Sequence, residues 1–474
     1  MRNVSVVLLL VASTVGAEDW DRFRGPNGSG VSASTGFPTE FSKQKNLLWR
    51  TPVRQGKSSP VLTRRHIFLT GFEDGKLYTQ CYDRETGTLL WERAVNRART
   101  ELVNALNHPA AITPVVDGEN VYAFFYEYGL VSYSPRGELR WEVKLGPFSN
   151  SMGHSSCPIL GGGSVILVLD QMVNSYMAAF DQSSGEIRWR TSREEMEGWA
   201  TPVLYHPTGT IPVVVTASRG QLGAHRVTDG KRLWSRSNLA PSVVASPVVD
   251  KDTLYTFGYG YDAMSPFVAQ LEEYDKNHDG KLSPDEYGNN AYLVGIGRFV
   301  GNKDGIVTQE KWEARQRLSM APSSLLAIRL QPEATTVGDG QSLTKELWRY
   351  EKSFVGVVPS PLLYDGVLYL VKNGGILATF DAKTGEVTKT GRITGALGPY
   401  SASPVAAEGK IFLASEEGKV TVLKASRDWE VAAINELGES CFATPALAGG
   451  RIYLRTSEAL YCFRSSPDGK LPMN

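Results

Sequence analysis

Ser59-Pro60-Val61-Leu62 opens a stretch that runs through His66-Ile67-Phe68-Leu69, a turn at Glu73-Asp74-Gly75 and Leu77-Tyr78. It ends in Asp83-Arg84-Glu85-Thr86-Gly87-Thr88-Leu89-Leu90-Trp91. Short apolar runs bounded by Gly, Asp and Asn are strand signals, and Thr86-Gly87 supplies a turn that can take a positive φ. The stretch therefore reads as four short strands with tight turns. One such sheet cannot bury both of its faces, so copies must stack side by side.

The copies can be counted by their starts, a small residue followed by proline. These are Ser59-Pro60, Thr113-Pro114, Cys157-Pro158, Thr201-Pro202, Ser246-Pro247, Ser360-Pro361, Ser403-Pro404 and Thr444-Pro445. Successive prolines lie 54, 44, 44, 45, 114, 43 and 41 residues apart, so one interval is longer by about 70 residues. Trp endings fall at Trp91, Trp141, Trp189, Trp234 and Trp348. The sixth copy has Lys389 where Trp would stand, and the seventh shifts its aromatic residue to Trp429. The eighth stops after Leu460-Tyr461-Cys462-Phe463 and lacks an ending. Asn46-Leu47-Leu48-Trp49-Arg50-Thr51 is an ending with no copy before it. A ring of sheets closes by pairing such an N-terminal strand with the last sheet, which removes exposed edges. A period near 43 with four strands fits a β-propeller; two packed sandwiches would not repeat one start motif from residue 59 to 445. The expected fold is all-β, an eight-bladed β-propeller of four-stranded blades over residues 18–465. Strand 46–53 closes the last blade, and residues 466–474 form a tail.

Repeats ending Asp-x-x-Thr-Gly-x-x-x-Trp, as in Asp83 to Trp91 and nearly so in Asp181 to Trp189, resemble the tryptophan-docking repeats of the pyrroloquinoline-quinone (PQQ) propeller superfamily. The opening Trp20-Asp21-Arg22-Phe23-Arg24-Gly25-Pro26 resembles the start of exported bacterial PQQ-like repeat proteins. The resemblance covers roughly residues 20 to 465 apart from the long interval. It implies either a quinoprotein alcohol dehydrogenase or a cofactor-free scaffold, such as the outer-membrane barrel-assembly lipoprotein. The dehydrogenases stack the quinone between a Trp and a disulfide of adjacent cysteines, and they hold a catalytic Ca²⁺ and an Asp base. No two cysteines here are adjacent, and no Asp can be singled out as base, so PQQ is not expected. The repeat tryptophans read instead as wedges between blades.

The long interval holds Asp275-Lys276-Asn277-His278-Asp279-Gly280-Lys281-Leu282-Ser283-Pro284-Asp285-Glu286, which matches an EF-hand loop at every constrained place. Asp275, Asn277 and Asp279 offer side-chain oxygens, and Gly280 allows the sharp bend. Lys281 offers its carbonyl, Ser283 ligates directly or through water, and Glu286 closes the site with two oxygens. Ca²⁺ takes about six to eight such oxygens, which accounts for the residue types and their spacing. A poorer copy follows with Asn302, Asp304, Gly305 and Thr308, but with Val300 in the first place and Lys311 in the last. A cation in the last place should oppose Ca²⁺. The second half is therefore expected to be a structural partner that binds no metal, with Trp312 covering its apolar face. The insert spans 261–320 within a hairpin of the fifth blade, where insertions are tolerated.

Lys+Arg and Asp+Glu number 50 each, so the formal charge is +0 and no nucleic-acid footprint is visible. Residues 1–17 read as a secretory signal: Arg2, an apolar core from Val4 to Ala12, and a Val15-Gly16-Ala17 cleavage site. A span needs roughly 20 apolar residues, so no membrane span is expected, and the protein should be periplasmic or secreted. No cysteine sits at the cleavage point, so a lipid anchor is not expected. Cys81, Cys157, Cys441 and Cys462 could pair in an exported protein, or remain buried thiols.

Segments just before each start should approach the propeller axis. They carry Lys57, Asn104, Asn107, His108, His154, Trp199, Tyr400 and Glu439, a polar and aromatic set that suits a ligand mouth. His108, His154, Trp199 and Tyr400 are its leading candidates. No catalytic residue is assigned. The functional expectation is a binding or interaction scaffold for a protein or glycan partner, with Ca²⁺ in the EF-hand loop. The alternatives are a PQQ-dependent dehydrogenase with a divergent site, or a carbohydrate- or peptide-binding propeller.

Overall fold

The computed structural model describes residues 20–101, 107–150, 152–172, 174–207, 210–237, 239–260, 265–299, 304–319, 322–351 and 358–466. Residues 1–17, expected to be a secretory signal, Asn104, Val300, Asn302 and nearly all of the tail lie outside these residues, as do residues 261 and 320, the expected bounds of the insert.

Eight sheets make the propeller: seven draw four antiparallel strands in sequence order, blade 7 among them gaining a fifth, parallel strand, and blade 8 takes its fourth strand from the N-terminal segment. Blade 1 shows the plan: Val61–Leu62, His66–Glu73, Lys76–Asp83 and Leu89–Asn96. Its middle strands are almost wholly buried, whereas its last strand buries Trp91 and exposes much of the rest. This follows from a radial stack, in which the middle strands are covered by neighbours on both sides and the outermost strand faces water. The strand Leu47–Pro52 pairs antiparallel with Ala459–Arg464, setting Trp49 opposite Cys462 and completing blade 8. Glu439 locks this seam. Its buried carboxylate accepts from Tyr461 Oη (2.6 Å) and Thr456 Oγ1 (2.5 Å) and pairs with Lys43 (2.8 Å) and Arg50 (3.2 Å) of the N-terminal segment.

The tryptophans sit between blades. Trp91 Nε1 donates to Pro135 O (2.9 Å), Trp141 to Gln182 O (3.0 Å), Trp189 to Val227 O (3.1 Å) and Trp348 to Ala382 O (3.0 Å), each in the following blade. Each ring lies flat on the turn glycine of that blade. A Cβ on Gly137, Gly185, Gly230 or Gly385 would fall 2.4–2.7 Å from the indole. Thr-Gly in the repeat thus serves two ends: the glycines take positive φ, and they make room for the neighbour's Trp. In blade 6 the wedge is replaced. Lys389 Nζ donates to Trp429 O of blade 7 (2.7 Å) and lies 4.3 Å from the centre of the Trp429 ring.

The four cysteines are free thiols and all are buried. Among the described residues, no helix is long and apolar enough to cross a membrane.

The long interval leaves blade 5 between Thr253–Gly258 and Ser324–Leu330, which still pair with each other. It holds helices α1 (Phe267–Tyr274), α2 (Pro284–Tyr287), α3 (Ala291–Phe299) and α4 (Gln309–Ser319). They enclose a small core of Phe267, Leu282, Tyr287, Leu293, Ile296, Val307 and Trp312. Trp312 is 2% exposed and stacks on Phe267.

Candidate functional site

The residues that open the blades form a hoop around the axis. The backbone amide of Ser59 donates to Thr113 Oγ1 (2.9 Å), Cys157 to Thr201 (3.0 Å), Thr201 to Ser246 (3.1 Å) and Ser246 to Ser360 (2.9 Å). Ser360 donates to Ser403 (3.0 Å), Ser403 to Thr444 (3.0 Å) and Thr444 back to Ser59 (3.0 Å). At the remaining joint the amide of Thr113 faces the Cys157 thiol. A small hydroxyl is needed here because the side chain must reach the preceding blade's amide in the narrowest part of the ring. The following proline needs no partner for a missing N–H.

Two residues earlier in every blade lies a second ring: Lys57, Ala111, Ser155, Trp199, Val244, Val358, Ser401 and Phe442. The two rings, with Phe23, Asn107, Met152 and Tyr259, enclose an axial cavity of about 330 Å³. Lys57 is the one charged side chain among the described lining residues, and its ammonium lies 4.2 Å from the centre of the Phe442 ring. Trp199 is buried in the wall and fixed by donation from Nε1 to Gly153 O (2.9 Å). The wall is thus apolar from Trp199 through Val244 to Val358 in blades 4 to 6, and over the remaining blades hydroxyl, amide and ammonium groups flank Phe442 and Ala111.

The N-terminal segment lies across the axis beyond the hoop. Trp20 and Leu62 exchange backbone bonds in blade 1, and Asp21 O accepts from Val116 in blade 2. Arg22 donates to Pro202 O (2.6 Å) and Asn27 brackets Leu204 in blade 4; Arg24 donates to Pro361 O (2.7 Å) in blade 6. Val31–Ser32 then adds a parallel strand to blade 7. The segment that opens with Trp20-Asp21-Arg22-Phe23 is a cross-brace, and its Phe23 forms part of the cavity surface.

The mouth residues named from the sequence divide. Lys57, Asn107 and Trp199 line the cavity; His108, His154, Tyr400 and Glu439 do not. The reason is side-chain alternation along an extended backbone. Positions two before each start face the axis, while positions three before, such as His154 and Tyr400, turn into the blades. Tyr400 is 2% exposed and donates to Ala396 O (2.8 Å). His154 packs edge-on against Phe148 at 5.1 Å, with neither ring nitrogen partnered. His108 Nδ1 accepts from the Ala110 amide (3.1 Å) and its ring meets Phe72.

These two histidines set a pH dependence. Burial pushes the His154 pKa down to about 4, and burial with the nearby Arg455 and Lys57 charges does the same for His108. Both titrate near ~6.5 when unfolded. Between these values the unfolded chain binds more protons, so stability falls as pH drops from about 6.5 to about 4. The thermal midpoint should fall across this window, and His154→Leu should flatten the profile by about 1–3 kcal/mol. Superimposable profiles of variant and parent in scanning fluorimetry would rule out this assignment.

In the insert, the Asp275 carboxylate accepts from the amides of Asp279 (3.2 Å) and Gly280 (3.0 Å). Asn277 Oδ1 accepts from Asp279 (2.9 Å), and Asp279 Oδ1 from Lys281 (2.9 Å). Glu286 reaches back across the loop to the amides of Lys276 (3.1 Å), Asn277 (3.3 Å) and Ser283 (2.8 Å). These amides hold its pKa below the ordinary carboxylate value, those of Ser283 most strongly. Leu282 and Val307 exchange backbone bonds of 2.9 and 2.8 Å, joining the two loops. Each carboxylate is directed at backbone amides; among the described residues, no three His, Cys, Asp or Glu side chains are grouped to hold a metal ion.

A closed ring of eight sheets, with Trp-on-Gly wedges and an axial cavity, defines a β-propeller of tryptophan-docking type. The sequence matches the family described as "Outer membrane protein assembly factor BamB" over residues 34–152, 80–294 and 340–470. The chain belongs to this family of PQQ-like propellers. No curated protein matches it. Among solved structures it is similar to BamB from Moraxella catarrhalis, with a TM-score of 0.56 and 12% identity over 89% of this chain and 100% of that one. It is also similar to the computationally designed Ika8 protein, with a TM-score of 0.54 and 9% identity over 89% and 100%. A europium-containing methanol dehydrogenase aligns with a TM-score of 0.42 at 10% identity over 86% and 89%.

Proposed function

We propose that the protein is an exported binding scaffold that receives an amphipathic group of its partner in the axial cavity. The observation that carries this is the two-ring wall, whose volume of about 330 Å³ falls in the ordinary range for small-ligand sites. Trp199 and Phe442 offer flat apolar faces from blades 4 and 8, and Ser155, Ser401, Asn107 and Lys57 set polar groups beside them. That mixture suits a saccharide or a peptide side chain. Glycan and peptide arrays probed with the parent chain and with Trp199→Ala test it. One class of ligand should bind the parent, and the variant should lose at least about tenfold in affinity. No binding to either array, or an unchanged pattern in the variant, would remove the proposal.

We further propose that the insert is an EF-hand pair whose first loop binds Ca²⁺ through Asp275, Asn277, Asp279, the Lys281 carbonyl, Ser283 and Glu286. The donor set is all oxygen, as this hard cation requires. The bonds from the Gly280 amide to Asp275, and between Leu282 and Val307, support a loop already curled as such a site needs. Glu286 is placed to turn from the amides to a metal. The role suggested is structural, with Ca²⁺ binding at about 10⁻⁴ to 10⁻³ M, as is usual for extracellular modules. Calorimetry should show this binding, and Glu286→Gln should weaken it by about tenfold or more. Absence of heat at millimolar Ca²⁺, or an unaffected variant, would defeat it.

A further inference from the structure

The second loop of the insert has Lys311 in the place where the first has Glu286, and the side chain is not turned away. It is 6% exposed and runs back onto residues 304–306 of its own loop. Its ammonium donates to Asp304 Oδ1 (2.5 Å), to the Ile306 carbonyl (2.7 Å) and to the Gly297 carbonyl on α3 (2.9 Å). Aligned with the first loop, Asp304 corresponds to Asp279 and Ile306 to Lys281. Those are the fifth-place carboxylate and the seventh-place carbonyl, which in a loaded loop face the metal. The third oxygen, from Gly297, comes close because α3 has no side chain there. A Cβ on Gly297 would stand 2.3 Å from the Gly305 carbonyl oxygen.

We propose that the Lys311 ammonium is the resident cation of the second loop, tethered to the chain where a metal would otherwise be held. The three donors of an ammonium match the three oxygens offered. The charge also answers the Asp304 carboxylate, which the ammonium bridges to the Ile306 and Gly297 carbonyls. Residues 304–306 thereby keep a loaded shape at any Ca²⁺ concentration. Tyr287 Oη, donating to Gly305 O (2.6 Å), and the Leu282–Val307 bridge carry that shape to the first loop. The consequence for the first loop rests on the Ca²⁺ reading above. The tethered cation does not.

The test uses the full chain and hydrogen exchange resolved to residues 304–308. Lys311→Met keeps the apolar stem and removes the charge. In EDTA it should speed exchange of the Ile306 and Val307 amides by about tenfold or more, the scale of losing bonds to a charged group. Unchanged exchange would overturn the proposal, whatever the first loop does with Ca²⁺. In the Glu286→Gln chain, added Ca²⁺ should leave exchange at 304–308 unaltered. Protection that rises with Ca²⁺ there would show a metal displacing the ammonium and would also overturn it.

Discussion

Trp91→Ala is expected to destabilise the propeller by about 3–5 kcal/mol, the usual range for removing a buried Trp. The ring is 8% exposed, lies 6.0 Å from Phe68 and 5.8 Å from Tyr133, and is hydrogen-bonded to Pro135 O. The space it leaves cannot readily close. On one side is the backbone of Gly137, and the spacing of blades 1 and 2 at the axis is fixed by the bond from Ser59 to Thr113. Both transfer and cavity costs should therefore appear. Lys389→Ala, at the matching place in blade 6, should cost only about 1 kcal/mol or less, because a part-exposed ammonium loses little when its bonds pass to water. Equal denaturant midpoints for the two variants would refute the wedge reading.

Trp20→Ala should show a second large loss, also about 3–5 kcal/mol, together with a local effect. Trp20 is fully buried, trades backbone bonds with Leu62, and presses against Gly25, where a Cβ would lie 2.6 Å from the indole. It anchors the first end of the cross-brace. Without it, the segment 21–32 should become open to proteases while blades 1 to 8 stay assembled. Mass spectrometry of timed digests should find new cleavages within that segment. A digest identical to the parent's would mean that Arg22, Asn27 and Arg24 hold the brace unaided.

How far the sequence could be read depended on whether contacts repeat. The eight Ser/Thr/Cys-Pro starts, the Thr-Gly turns and the Trp endings recur because every blade solves the same packing problem. Counting them led to the eight-bladed ring. The hoop of hydroxyls was visible as a residue preference, but its partners lie 41 to 385 residues away, so the bonds could not be read from one repeat. The brace was illegible for a stronger reason. Arg22 and Arg24 meet single carbonyls in blades 4 and 6, and nothing in residues 20–32 announces such distant partners. The grouping of His154 and Tyr400 with Trp199 failed on a difference of one residue in register, and His108 lies three residues before its blade's wall position, Ala111. Alternation sends Trp199 to the cavity wall and turns His154 away from it. Glu439 was placed at the mouth, yet its partners Lys43, Arg50 and Tyr461 make it a clasp of the seam.

The bond from Ser246 to Ser360 is 2.9 Å long and spans 114 residues, while that from Ser360 to Ser403 is 3.0 Å and spans 43. The axis keeps no record of how much chain leaves a blade before the next one starts. Distance along the polypeptide and distance around the circle are uncoupled, so the hub works as a chassis and each hairpin between the middle strands of a blade as a port. Blade 5 has its port in use. The same geometry would accept a module at the matching hairpin of another blade without retuning the hub, provided the two strands that flank it still pair.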